Sequence, residues 1–244
     1  LSYLLFLCSW AGIPLTIIMV VGLQGILAVI AFLFTMRMTS KSPAANWGGW
    51  KSIKAFVQTA DFWGWMLFVI FAICTSVISF AISYGGWDSI TIWSIKGYGI
   101  AHEGSIFATR EYGDLGSYYP MNIQIGIALF SIVGGDTFPL SKFIFSLFFI
   151  SLLLVIRAYF YHSRMPSLLA WGMIFLIATV PYLLEYALRG YANVPFAFYI
   201  VAGILWVAAG LASEQPRKIA LGGALLAFSA WTRVEGIQFW LILF

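Results

Sequence analysis

The length of the apolar runs constrains this chain before anything else does. Stretches such as 13–34, 62–82 and 194–211 run for eighteen residues or more without a Lys, Arg, Asp or Glu. Runs of that length read as candidate membrane-spanning helices. Only 9% of the residues are charged, against roughly 25% in a soluble domain, so too little charge is present to coat a water-exposed surface. A mean hydropathy of +0.95 agrees. The expected fold is all-α, a polytopic transmembrane helix bundle.

Further apolar stretches lie near 121–133, 140–160, 168–184 and 219–231, giving about seven in all, and another opens at Ile237. The first apolar stretch, from Leu1 to Phe34, is too long for one perpendicular helix, and Gly12-Ile13-Pro14 supplies a break within it. The chain lacks an initiator Met and stops at Leu243-Phe244 inside an apolar run, so it is expected to be part of a longer protein. Cys8 and Cys74 sit in apolar segments and read as packing residues. The net charge of +4 is spread between the apolar segments. It reports orientation in a membrane, with no implication of nucleic-acid binding.

Lys and Arg mark cytoplasmic connections. Arg37, Lys41, Lys51 and Lys54 place 35–61 inside, as do Arg157 with Arg164, and Arg217 with Lys218. Segments 83–120, 185–193 and 232–236 then emerge together on the outer face. The alternation holds only if 121–133 does not cross by itself. Thirteen residues cover about 20 Å as a helix, so this piece reads as a half-spanning or re-entrant element, or as one arm of a kinked crossing. Gly134, Gly135 and Pro139 would supply the bend.

Four polar and aromatic clusters occupy the outer segments. The first contains Trp87, Asp88, Trp93 and Lys96, where Ile90, Ile92 and Ile95 suggest an interfacial helix in the first large extracytoplasmic loop. Asp88 could be a general base or metal ligand, or merely cap that helix. The second runs from Asp114 through Tyr119-Pro120, a helix start by its grammar, and Asn122 and Gln124 beyond it favour a lined cavity. In the third, Glu185 to Pro195, Glu185 and Arg189 are spaced for an i,i+4 pair and Asn193 is placed as an N-cap. In the fourth, Thr232-Arg233-Val234-Glu235-Gly236, the arginine suits a phosphate, and a local Arg233–Glu235 pair is the plainer alternative. His102 and His162 are expected on opposite faces, and no nucleotide loop, zinc spacing or nucleophile elbow occurs.

Taken in order, Trp87-Asp88 with Trp93 and Lys96, Tyr119-Pro120, Gly190-Tyr191-Ala192-Asn193-Val194-Pro195 and Thr232-Arg233-Val234-Glu235-Gly236 resemble the motifs of GT-C membrane glycosyltransferases. The nearest likeness is to bacterial relatives of protein O-mannosyltransferases and aminoarabinose transferases, over residues 62–244. Residues 1–61 have no counterpart and read as an additional transmembrane segment with a basic connection. The resemblance implies an integral protein of the cell (inner) membrane that transfers sugar, with inversion, from a polyprenyl-phosphate donor to an unidentified acceptor on the extracytoplasmic side. It implies catalysis by Asp88, donor phosphate binding by Arg233 with Lys96 or Arg110, and a pocket of Trp87, Trp93, Asp114, Tyr119, Tyr191, Asn193 and Glu235. A divalent metal ion on Asp88 and Asn193 is a further implication. Asn193 stands where the pattern has an acid, and Val234 where it has Asn. The branch then works without a tightly held metal, uses another acid such as Glu185, or is inactive. The alternatives are a catalytically silent accessory subunit that binds lipid or scaffolds a larger membrane complex, and a transporter.

Overall fold

A computed structural model describes residues 2–19, 21–23, 26, 59–110, 119–135 and 138–243. Among these residues the regular structure is helical, with no strand. Helix α1 is Ser2–Trp10, and the chain turns at Gly12 before Pro14, as the sequence break suggests. Most of the proposed span at 13–34 and the basic connection at 35–58 fall outside the described residues.

Helix α2, Ala60–Ala81, starts as its sequence predicts. The Thr59 hydroxyl accepts a bond from the Phe62 amide, and Asp61 occupies the positive first turn. After α2 comes a π-helical segment, Ser89–Ser94, which runs into α3, Ile95–Glu103. A 3-10 turn follows at Ile106–Arg110. Then come α4 (Asn122–Gly134), α5 (Phe138–His162), α6 (Ser167–Ala178) and α7 (Pro181–Arg189). The last three are α8 (Asn193–Ala212), α9 (Pro216–Thr232) and α10 (Gly236–Leu243). Pro181 and Pro216 each open their helix, where a missing N–H costs nothing.

Among the described residues three helices are long and apolar enough to cross a membrane: α2, α5 and α8. Helices α6 and α7 make a fourth if they count as one broken span, bent by 62°. That is fewer than the six apolar stretches that lie among the described residues suggest. Helices α4 and α9 have 13 and 17 residues, reaching about 20 and 26 Å, short of a hydrocarbon core about 30 Å thick. The stretch 168–184 is also not one straight helix, because Pro181 cannot continue the ladder of α6.

Helix α5 is central, packing against α2, α4, α6, α7 and α8. Phe149 and Leu153 of α5 meet Phe68 of α2, Trp171 and Ile174 of α6, and Val194 of α8 in one core. The most extensive helix contact joins α8 and α9, which approach through small residues. A Cβ on Gly222 would lie 2.7 Å from the Gly203 carbonyl oxygen, the close backbone packing that holds helices together in lipid.

The Asn122 side chain donates to the Thr232 hydroxyl at the end of α9, 2.8 Å away. Helix α5, which follows α4, starts beside the end of α2, where the hydroxyls of Ser141 and Tyr84 share a 2.7 Å bond. At 13 residues, α4 is one of the apolar helices too short to count as a span.

Candidate functional site

The described residues of the four clusters gather where α2 ends. The segment Gly85–Ser89 is docked on the turn after α7. The Gly85 amide donates to the Arg189 carbonyl at 3.1 Å, and the Ser89 hydroxyl donates to the carbonyls of Arg189 and Gly190 at 2.7 and 3.1 Å. Gly190 must be glycine here. Its φ is +83°, and a Cβ would strike the Tyr84 ring. Gly86, with φ +75°, lies directly under the Tyr191 hydroxyl, where a Cβ would also collide. Asp88 thus leaves a loop fixed to the cluster that carries Asn193.

Asn193 and Arg233 are in direct contact. The Arg233 Nη1 donates to Asn193 Oδ1 at 2.6 Å, while Nε and Nη2 donate to the two Glu235 oxygens at 3.3 and 2.8 Å. A guanidinium has five N–H donors, so one remains on each Nη. The group lies 6.0 Å from the Tyr119 ring centre and 5.8 Å from that of Phe196, within reach of cation–π attraction. Burial opposes the Arg233 charge. Glu235, with smaller help from Tyr119 and Asp88, outweighs it and holds the pKa above its usual value. Asp88 is therefore near enough for its charge to act on the same guanidinium. Glu235 responds in the opposite sense: the hydrogen bond from Arg233 holds its carboxyl below the usual range against partial burial.

The aromatic residues complete the wall. Buried Trp93 meets Tyr119 edge-on at 5.1 Å, and Tyr191 lies 5.0 Å from Tyr186. Trp87 is exposed beside Asp88. Lys96 is buried on α3, together with Gly97 and Ile100. The loop helix therefore buries one face against α4 while Ile90 and Ile95 point outward. The side chain of Arg110 and all of Asp114 lie outside the described residues.

Two of the plainer readings fail and two hold. Asp88 makes no capping bond to the π-helical segment. Asn193 lies inside the first turn of α8 without capping it, because its oxygen is taken by Arg233. The Glu185–Arg189 pair forms at 3.3 Å, and the Arg233–Glu235 pair forms as well. Tyr119-Pro120 precedes α4, whose first helical residue is Asn122. His102 pairs with its neighbour Glu103 at the end of α3, while His162 ends α5 beside Asp61 at the other end of α2.

Asn193 Oδ1 already faces a cation, the guanidinium, so the Asp88 and Asn193 pair does not fit a divalent ion. Among the described residues no group of three His, Cys, Asp or Glu could hold a metal.

Sequence reasoning missed the hydroxyl cluster behind the site. Ser141 of α5 bonds to both Tyr84 and Tyr98, at 2.7 and 2.6 Å. Burial pushes the Tyr84 phenol well above its ordinary pKa, so it stays neutral. The Lys142 ammonium lies 5.6 Å from the Tyr84 ring centre, buried. The available signal was a Ser-Lys pair in the first turn of an apolar helix, since polar groups at that depth need a reason. No family model, curated protein or solved structure matches this chain.

Proposed function

We propose that this protein is a membrane glycosyltransferase that moves a sugar from a polyprenyl-phosphate donor to an acceptor hydroxyl on the extracytoplasmic face of the cell membrane. The observation that carries this reading is Arg233, clamped by Asn193 and Glu235 with two N–H groups uncommitted, beside the loop that presents Asp88. A carrier phosphate accepts hydrogen bonds from those N–H groups. Preorganised positive charge there stabilises the phosphate as the sugar leaves. Asp88, exposed and free of a capping role, takes the proton of the incoming hydroxyl as the new glycosidic bond forms. Tyr119 and Tyr191 offer faces for the sugar, with Trp87 at the rim.

Asn193 also supports a second reading, a silent subunit of a larger complex, because position 193 carries an amide where the resemblance calls for an acid. Replacing Asp88 by Asn and supplying labelled polyprenyl-phosphate sugar to membranes separates the two. Loss of transfer with donor binding intact supports the enzyme. Transfer undiminished by the change rejects the role given to Asp88. Absence of both transfer and donor binding in the unaltered protein selects the silent subunit.

A further inference from the structure

A second polar site lies at the other end of the bundle, roughly 30 Å away by the length of α2. Asp61 in the first turn of α2 accepts there from Arg157 Nη2 at 2.6 Å, the Ser167 hydroxyl at 2.5 Å and the Trp171 indole N–H at 3.2 Å. All three bonds converge on one carboxylate oxygen. Arg157 is only 6% exposed, packs over the Trp171 ring at 4.9 Å, and has a buried Nε without an acceptor. A cavity of about 530 Å³ opens beside it, lined by Asp61, Arg157, Tyr161, His162, Arg164 and Ser167.

The charge balance of this cavity favours an anion. Asp61 is the one carboxylate among the described lining residues, and Arg157 neutralises it. Arg164 remains unbalanced, with His162 as a further N–H donor. Arg164 also holds φ at 55° in the turn after α5, a left-handed position where glycine would be at ease.

The cavity continues into a mainly apolar slot of about 360 Å³, which shares Asp61, Arg157, Tyr161 and His162 with it. The slot adds Trp65, Leu154 and Ala158. Trp65 lies one turn into α2, and Leu154 nearly one turn before Arg157 on α5, so the slot runs from the helix ends toward the middle of the spans. A cationic head cavity at the ends of α2, α5 and α6, joined to an apolar slot along α2 and α5, has the polarity of a phospholipid.

We propose that this end of the bundle binds an anionic glycerophospholipid, with its phosphate at Arg164, His162 and Arg157 and an acyl chain in the slot past Trp65 and Leu154. The site is separate from the one proposed for sugar transfer, and its test needs no transfer assay. The full chain is reconstituted with equal amounts of phosphatidylcholine and phosphatidylglycerol, then re-extracted, and the retained lipid is measured by mass spectrometry. Phosphatidylglycerol should be enriched about tenfold over phosphatidylcholine, the worth of one charge-assisted contact. Arg164→Gln removes the exposed charge and should abolish the enrichment. Leu154→Trp fills the slot without touching charge and should release both lipids, with melting in phosphatidylcholine alone unchanged for either variant. Equal retention of the two lipids overturns the proposal, as does enrichment that survives both substitutions. Stabilisation by inorganic phosphate equal to that by phosphatidylglycerol also overturns it, since a free anion would then suffice.

Discussion

Replacing Arg233 by lysine keeps a positive charge at the centre of the site and removes the planar fork. In the native protein the guanidinium holds Asn193 Oδ1 at 2.6 Å and both Glu235 oxygens at 2.8 and 3.3 Å. An ammonium can stay beside Glu235 but cannot also span Asn193. One short charge-assisted bond is therefore lost, about 1.5–3 kcal/mol where such a bond is intact. The Glu235 side chain is 43% exposed and rehydrates, and Asn193 is half-buried, so the net loss of stability is about 1 kcal/mol. The change in melting temperature is then small, about 2–4 °C. Transfer should fall far more. The two uncommitted N–H groups, one on each Nη, have no equivalent on an ammonium drawn toward Glu235. Loss of a preorganised donor to developing charge reduces kcat about 100-fold or more. The assay is transfer from labelled polyprenyl-phosphate sugar, with thermal melting of the same preparation. Lysine supporting transfer at the native rate would refute the assignment of this guanidinium to the phosphate.

Gly86→Ala meets the Tyr191 hydroxyl and an unfavourable φ, and should lower stability by about 1–3 kcal/mol. Gly135→Ala has the same backbone strain but open space around it, so it should cost about 1 kcal/mol; equal melting temperatures for the two would contradict the docking of Tyr191. The Glu235 carboxyl has a lowered pKa in the folded state, so its contribution is complete above the ordinary value of 4.5 and lost as the pH falls through the folded value. Thermal stability of the native protein should thus decline below pH 4.5 more steeply than that of Glu235→Gln, and parallel curves would show that the pair contributes nothing. Thr232→Val removes the acceptor that Asn122, 5% exposed, uses at 2.8 Å. It should destabilise by about 1–2 kcal/mol in chemical or thermal melting, where an unchanged midpoint would be the contrary result.

The apolar runs located the helices well because burial in lipid leaves a local, continuous signature. Boundaries of α2, α5 and α8 fall within two residues of the stretches read from composition. The side assignments also put Asp88, Asn193 and Arg233 at one end of the bundle. The details of the site were less legible. The cap at Asn193 was expected from its position before Val194-Pro195, but tertiary contact with Arg233 outcompetes the local bond. The bend between α6 and α7 was signalled by Pro181 and masked by the hydropathy around it. The Asp61–Arg157 contact joins residues 96 positions apart, and no periodicity encodes such a pair. Arg157 was legible only as an orientation signal, although its depth at a helix end called for a partner. Ser141 and Lys142 escaped notice because two polar residues barely lower the average of an apolar stretch.

Helix α2 is fastened at both extremities. Its beginning is tied to α5 and α6 through Asp61, and the segment just beyond its finish is tied to the Arg189–Gly190 turn by main-chain bonding. A rod anchored twice cannot slide lengthwise or rotate without rupturing one attachment. Any relative motion within the bundle must be carried by its neighbours, and weakening either anchor should loosen the opposite one as well.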